Sequence, residues 1–147
     1  MNDVRTYVQS GNVVVSSEAP PDKLAAETKR AIAKEFGLDV DVVARSRDEL
    51  AEVVRRNPLA GVATNPKRYQ VSFLAAELDP ERLEKISALA VEPERLVAIG
   101  RELYAWHPEG VARSKLWAGL AGKGLGVTAT ARNWTTVTAL LEMADEG

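Results

Sequence analysis

The chain is predicted to be an α+β protein, and three observations carry that prediction. Short runs rich in β-branched residues alternate with longer segments of helical period. A hairpin signal occurs twice, and one half of the chain repeats the element order of the other. Val4 to Val8 and Asn12 to Val15 are β-branched runs joined by Gln9-Ser10-Gly11, which supplies turn chemistry. Pro20-Pro21-Asp22 then opens a helix in which Leu24, Thr28, Ala31, Ile32 and Phe36 recur at helical spacing, with Gly37 placed for a left-handed cap. Val40, Val42 and Ala44 alternate with Asp39, Asp41 and Val43 as a strand, whose two aspartates lie on its solvated face. Ser46 with Glu49 forms a capping box ahead of Leu50, Val53 and Val54, and Asn57-Pro58 ends that helix.

Gly61 to Pro66 carries two turn signals and little else, which divides the chain into lobes at 1–62 and 67–147. Tyr69 to Ala75 is a strand with Val71, Phe73 and Ala75 on one face. Asp79-Pro80 is an N-cap followed by proline at the first helical position, opening a helix with Leu83, Ile86 and Leu89. Leu96 to Ile99 and Glu102 to Trp106 flank Gly100-Arg101 as the second hairpin. Ser114 to Leu120 reads as a short helix, Val127 to Thr130 as a short strand, and Asn133 as the cap of a final helix bearing Val137, Leu140 and Leu141.

A shift of 87 residues lays one lobe on the other. Gly37, Leu38, Val40, Ala44 and Arg45 fall on Gly124, Leu125, Val127, Ala131 and Arg132, while Ser46 falls on Asn133, and Leu50, Val53 and Val54 fall on Val137, Leu140 and Leu141. The like-for-like exchanges sit where a cap or a core residue is required. A shift of 89 also lays Val8, Gly11, Val14 and Val15 on Val97, Gly100, Leu103 and Tyr104. The second lobe reads strand, helix, strand, strand, helix, strand and trailing helix, which is the ferredoxin-like (α/β plait) order with an appended helix. The first lobe has the same plan without its opening strand and helix. Arg68 shifted by 89 falls roughly 22 residues ahead of Met1, so the reading predicts two plait lobes with trailing helices, the first N-terminally truncated. In a plait the opening strand is an interior one, and its loss leaves unpaired edges that favour self-association.

Composition narrows the function classes. Hydrophobic residues at 46% and charged residues at 27% exclude a disordered tail. With 19 basic and 21 acidic side chains the net charge is -2, which argues against holding nucleic acid by phosphate neutralisation. Cysteine is absent and His107 is the single histidine, so thiolate chemistry and paired-histidine metal motifs are excluded and no metal site is expected. The longest uncharged stretch, Thr6 to Ser17, is twelve residues, where a membrane-spanning helix needs about 20. The start does not resemble a secretory signal, so a cytoplasmic protein without a membrane partner is expected. No cofactor is expected, because Gly119, Gly122, Gly124 and Gly126 trail a helix rather than lead from a strand into one.

Arg5 to Val14, Gly110 with Ser114-Lys115-Leu116, Leu125-Gly126-Val127, and Ala129-Thr130-Ala131-Arg132-Asn133-Trp134-Thr135-Thr136-Val137 resemble the bacterial domain-of-unknown-function family numbered 1697. The resemblance covers almost the whole chain in order. It implies a further strand and helix carrying a Leu-Arg-Gly-x-Asn-Val-Gly-Gly segment, which this sequence lacks. It implies no established activity.

Five residues are candidates for ligand binding: Gln9, Asn12, Lys115, Arg132 and Asn133. Arg132-Asn133 opens the last helix, where unpaired N–H groups and an arginine suit an anion or carboxylate, although Asn133 as a plain cap explains the pair more simply. Gln9-Ser10-Gly11-Asn12 offers amides at a sheet end, against a simple hairpin turn. Ser114-Lys115 cannot form a serine–lysine dyad, since adjacent residues diverge by about 100° around a helix. The serine reads as a cap and the lysine as solvated. His107 reads as a partly exposed histidine ending a strand, and as a general acid or base only if a carboxylate orients it. Tyr104 and Trp106 share a strand face, which suits base stacking or core packing between lobes. The leading expectation is a non-enzymatic module binding a small anionic or polar ligand between the lobes. The alternatives are a metabolite-acting enzyme using Lys115 or His107, and a single-stranded RNA binder through Tyr104 and Trp106.

Overall fold

A computed structural model describes residues 4–7, 12–15, 19–40, 42–121 and 125–146. The elements run β1 (Val4–Tyr7), β2 (Asn12–Val15), α1 (Pro21–Phe36), α2 (Arg47–Arg56), a 3-10 turn (Pro66–Arg68), β3 (Tyr69–Leu74), α3 (Pro80–Ser87), β4 (Arg95–Ile99), β5 (Glu102–Trp106), α4 (Lys115–Ala121), β6 (Ala129–Asn133) and α5 (Trp134–Glu146). The fold is thus mixed α and β, as expected.

β1 and β2 form an antiparallel pair, with Val4 opposite Val15 and Tyr7 opposite Asn12. The other four strands form one antiparallel sheet in the order β4-β5-β3-β6. β3 lies inside it, with Val71 opposite Tyr104 on one side and Arg132 on the other. Period-two alternation sorts its neighbours onto two faces. Tyr69, Val71, Phe73, Tyr104 and Trp106 pack with Val53 and Leu59 from the first half and Val137 of α5. Leu74, Leu103 and Ala105 pack with Ile86 of α3, Leu116 and Leu120 of α4, and Leu125. Both faces are therefore covered, which is why every residue of β5 is buried. The trailing helices α2 and α5 lie against the sheet as expected.

Local chemistry fixes the helix starts. Ser46 Oγ accepts from the Glu49 N–H at 3.1 Å while Glu49 Oε1 accepts from the Ser46 N–H at 2.8 Å, completing the capping box. Asp79 accepts from the Glu81 N–H, with Pro80 at the first position of α3. Asn133 Oδ1 accepts from the Thr136 N–H at 2.9 Å. Gly37 (φ 66) ends α1, and Gly100 (φ 59) turns the β4–β5 hairpin, both in the left-handed region that glycine enters freely.

Two expectations fail. The strand predicted over Val40 to Ala44 does not form: residues 40 and 42–45 join no ladder, because an alternating pattern yields a strand only where a partner strand presents its edge. The short strand predicted at Val127 to Thr130 lies two to three residues later, at Ala129–Asn133, where β3 supplies the pairing. Leu59, just ahead of the turn region between the lobes, is buried with Tyr69 and Trp106, and the partly buried Ala63 of that region packs against the same core. Among the described residues no helix is long and apolar enough to cross a membrane.

Candidate functional site

Two polar clusters mark opposite ends of the four-stranded sheet. The first lies where α2 meets the β4–β5 turn. Arg45 precedes the α2 cap, and its guanidinium is only 6% exposed. It donates to Glu102 Oε2 at 2.9 Å and to the carbonyls of Ala44, Leu74 and Arg101 at 3.0, 2.8 and 3.1 Å, and lies 5.6 Å from the Phe73 ring centre. Glu102 is equally buried, and its second oxygen accepts from Arg56 at 3.0 Å. A buried ion pair recovers its desolvation cost only when its remaining donors and acceptors are satisfied, and here Arg45 and Glu102 between them engage three backbone carbonyls and a second arginine. Arg101 extends the network by donating to Glu49 Oε2 at 3.1 Å.

Above this network lies a cleft of about 570 Å³, open to solvent. Asp48, Glu49, Glu52, Glu77 and Glu102 supply its carboxylates, and Arg56 and Arg101 face them. With five acids against two bases among its lining side chains, the cleft is net negative.

The second cluster lies beyond the other end of β5. His107 is fully buried, and its Nδ1–H donates to Glu94 Oε2 at 2.8 Å. Ser114 Oγ donates to the same Glu94 oxygen at 2.5 Å and accepts from the Trp117 N–H at 3.0 Å, so the serine caps α4 as expected. The Trp117 ring meets the imidazole edge-on at 5.9 Å. Burial alone would raise the Glu94 pKa, but the hydrogen bonds from Ser114, His107 and the Val91 N–H outweigh it and hold the carboxyl below its ordinary value. The expectation of a partly exposed His107 is therefore overturned. The chain turns inward after Trp106, and the His107 N–H donates to the Arg68 carbonyl, which seats the ring beneath α4. Glu94 supplies the carboxylate that an acid–base role for His107 would need, yet the imidazole has no solvent face toward a bound metabolite.

Four of the five sequence-derived candidates, Asn12, Lys115, Arg132 and Asn133, lie within the described residues. Gln9 lies outside the described residues, and of Asn12 only the strand pairing with Tyr7 is described. Lys115 is exposed at the start of α4. Arg132 and Asn133 are neighbours on β6, so their side chains leave opposite faces of the sheet. Asn133 is occupied as a helix cap, and the half-buried Arg132, whose pKa desolvation lowers, donates to the Ala131 carbonyl at 2.8 Å. Base stacking by Tyr104 and Trp106 is overturned as well. Both rings are buried in the core, and Tyr104 donates its hydroxyl to the Val53 carbonyl at 2.8 Å, with its pKa pushed up to about 12 by burial. They pack the first half onto the second, the plainer role.

The sequence reading missed Arg45, Arg56 and Glu102 as a cluster. The usable signal was a glutamate opening an otherwise apolar strand, together with Arg45 matching Arg132 under the 87-residue shift.

The comparisons with known proteins agree with the sequence pattern. No curated protein and no solved structure matches the chain. The family model described as a protein of unknown function, DUF1697, matches residues 1–104, through β5 as far as Tyr104, while the β6–α5 segment lies beyond the match. Spanning well over half of the 147 residues, that match places the chain in the DUF1697 family of proteins of unknown function.

Proposed function

We propose that the protein is a non-enzymatic module that binds a small polar ligand in the cleft where the first half meets the β4–β5 turn. The observation that carries this reading is the cleft itself: a concave space of about 570 Å³ whose floor is fixed by the Arg45–Glu102–Arg56 network. A site whose supporting shell is locked by buried hydrogen bonds is pre-organised, which lowers the cost of ordering it on binding. The net negative lining favours a ligand bearing an amine or other cationic group over a simple anion.

The two lobes are part of the same reading. The second half runs strand, helix, strand, strand, helix, strand with β3 between β5 and β6, and this supports the plait plan. Arg45 and Arg132 each donate to the preceding carbonyl, and Ser46 and Asn133 each cap the following helix, which supports an internal duplication.

A thermal-shift screen of amines, amino acids and small anions on the whole chain tests the ligand. A ligand at 100 times its Kd stabilises by about 2.7 kcal/mol, which raises the melting temperature by roughly 5–10 °C for a chain of this size. The rise is expected with amine-bearing compounds and is expected to disappear in Glu52→Ala and Glu77→Ala. If anions alone produce it, and Lys115→Ala or Arg132→Ala removes it, the site belongs at the other end of the sheet, among the sequence-derived candidates.

A further inference from the structure

We propose that the end of the four-stranded sheet opposite the cleft is a cationic docking face for a separate polypeptide, an extended acidic segment whose carboxylates meet Lys67, Arg68, Arg95, Arg113 and Lys115. These five residues all belong to the second half, whose four strands pair in one sheet, and the inference is independent of the cleft reading.

Separate segments converge there. Lys67 and Arg68 precede β3, Arg95 opens β4, and Arg113 and Lys115 flank Ser114, the cap of α4. Trp106 lies opposite both Tyr69 and Arg95, and the His107 N–H donates to the Arg68 carbonyl, so the starts of β3 and β4 and the end of β5 stand side by side. The Glu94–His107–Ser114 cluster brings the start of α4 to the same place, since Ser114 donates to the residue just before β4. All five cations are exposed, and among the described residues none of them forms an ion pair. Arg68 and Arg95 donate to main-chain carbonyls, those of Pro108 and Glu94, which leaves their charge uncompensated. At the cleft, by contrast, Arg45, Arg56 and Arg101 each hold a carboxylate. Of the acids at the cationic end, Glu94 is turned inward onto His107 and Ser114, which leaves Glu92 and Glu109 exposed beside five cations. The same buried clasp fixes the loops that carry Arg95, Arg113 and Lys115, so little ordering cost remains to be met on docking.

Guanidinium forks and ammonium groups suit carboxylates and phosphates alike. Two features favour a peptide over single-stranded RNA. Tyr104 and Trp106 are buried, Trp117 packs on the His107 imidazole and Trp134 stacks on Tyr69, so the rings a base would stack on are already engaged. Val91, in the turn that leads to Glu94, is 65% exposed and offers an apolar contact to a peptide side chain. Tyr69 and Arg95 flank β5 and so lie about 10 Å apart at the usual strand spacing, a span that carboxylates three residues apart on an extended chain match.

The test is fluorescence anisotropy on the whole chain with a labelled hexaglutamate peptide and, as the phosphate probe, a labelled oligouridylate of the same length. The peptide is expected to bind more tightly than the RNA at low salt, and to weaken as salt shortens the screening length to about 8 Å. Arg95→Glu combined with Lys115→Glu is expected to weaken peptide binding by about tenfold or more. Lys23→Glu combined with Lys34→Glu makes the same change in net charge on exposed positions of α1 and is expected to weaken it far less. Glu109→Gln, which removes an acid from the face, is expected to tighten it. No peptide binding at low salt, tighter binding of the RNA, or equal losses in the two double variants each overturn the proposal. Sedimentation showing that the chain associates with itself, and that Arg95→Glu with Lys115→Glu abolishes the association, overturns it in favour of a second copy.

Discussion

α4 has seven residues and buries two leucines, while α1 has sixteen and buries none. Both are helices with apolar stripes. The difference teaches that amphipathic period specifies a helix but not its burial, which depends on a surface supplied from elsewhere in the chain. α4 lies beside α3 over β3 and β6, whereas the stripe of α1 has only half-buried Leu24, Thr28 and Ile32. Stability in this protein is therefore concentrated in the second half and in α2, the one helix of the first half that contributes a fully buried side chain, Val53, to the core.

The largest expected effect comes from breaking the junction between halves. Glu102→Ala leaves Arg45 buried without its counter-ion and is expected to cost about 3–5 kcal/mol in denaturant unfolding. Leu116→Ala, in α4, is expected to cost about 2–5 kcal/mol through lost burial and the cavity left behind. Ser114→Ala removes a hydrogen bond to a charged carboxylate and a helix cap, for about 1.5–3 kcal/mol at neutral pH. Glu94 has a folded pKa below its ordinary 4.5, so its contribution is present above that value and is lost as pH falls through the folded pKa. The Ser114→Ala deficit should accordingly narrow below pH 4.5, measured by urea unfolding across pH. An unchanged deficit in acid would mean that the Ser114–Glu94 bond is not the source.

Ser46→Ala and Asn133→Ala are matched caps, and each is expected to cost about 1 kcal/mol. The smallest effect belongs to α1, where Phe36→Ser is expected to stay within about 0.5 kcal/mol, against the 2–5 kcal/mol of Leu116→Ala. Near-equal losses at Phe36 and Leu116 would break the contrast between the helices.

Much of the fold was legible residue by residue. Ser46 with Glu49, Asp79-Pro80 and Asn133 announce their helix starts, and Gly100 announces the hairpin turn. Val71 and Phe73 share a strand face as their spacing requires. The candidate site was far less legible. Arg45, Arg56 and Glu102 stand 11 and 46 residues apart in sequence, and nothing local shows that they converge. Glu94 and His107 are likewise brought together only by the strand pairing that places their flanking loops side by side.

What the amino-acid order determined by itself is the set of local structures, because caps, turns and periodicity are settled by hydrogen bonds and side-chain directions within a few residues. Only the tertiary structure decided which of those structures are buried. Residues 42–45 have the pattern of a strand without a ladder, Leu38 and Leu125 differ in exposure though not in kind, and His107 is buried where a surface position was expected. Burial and strand pairing are properties of two surfaces in contact, and the second surface comes from a distant part of the polypeptide.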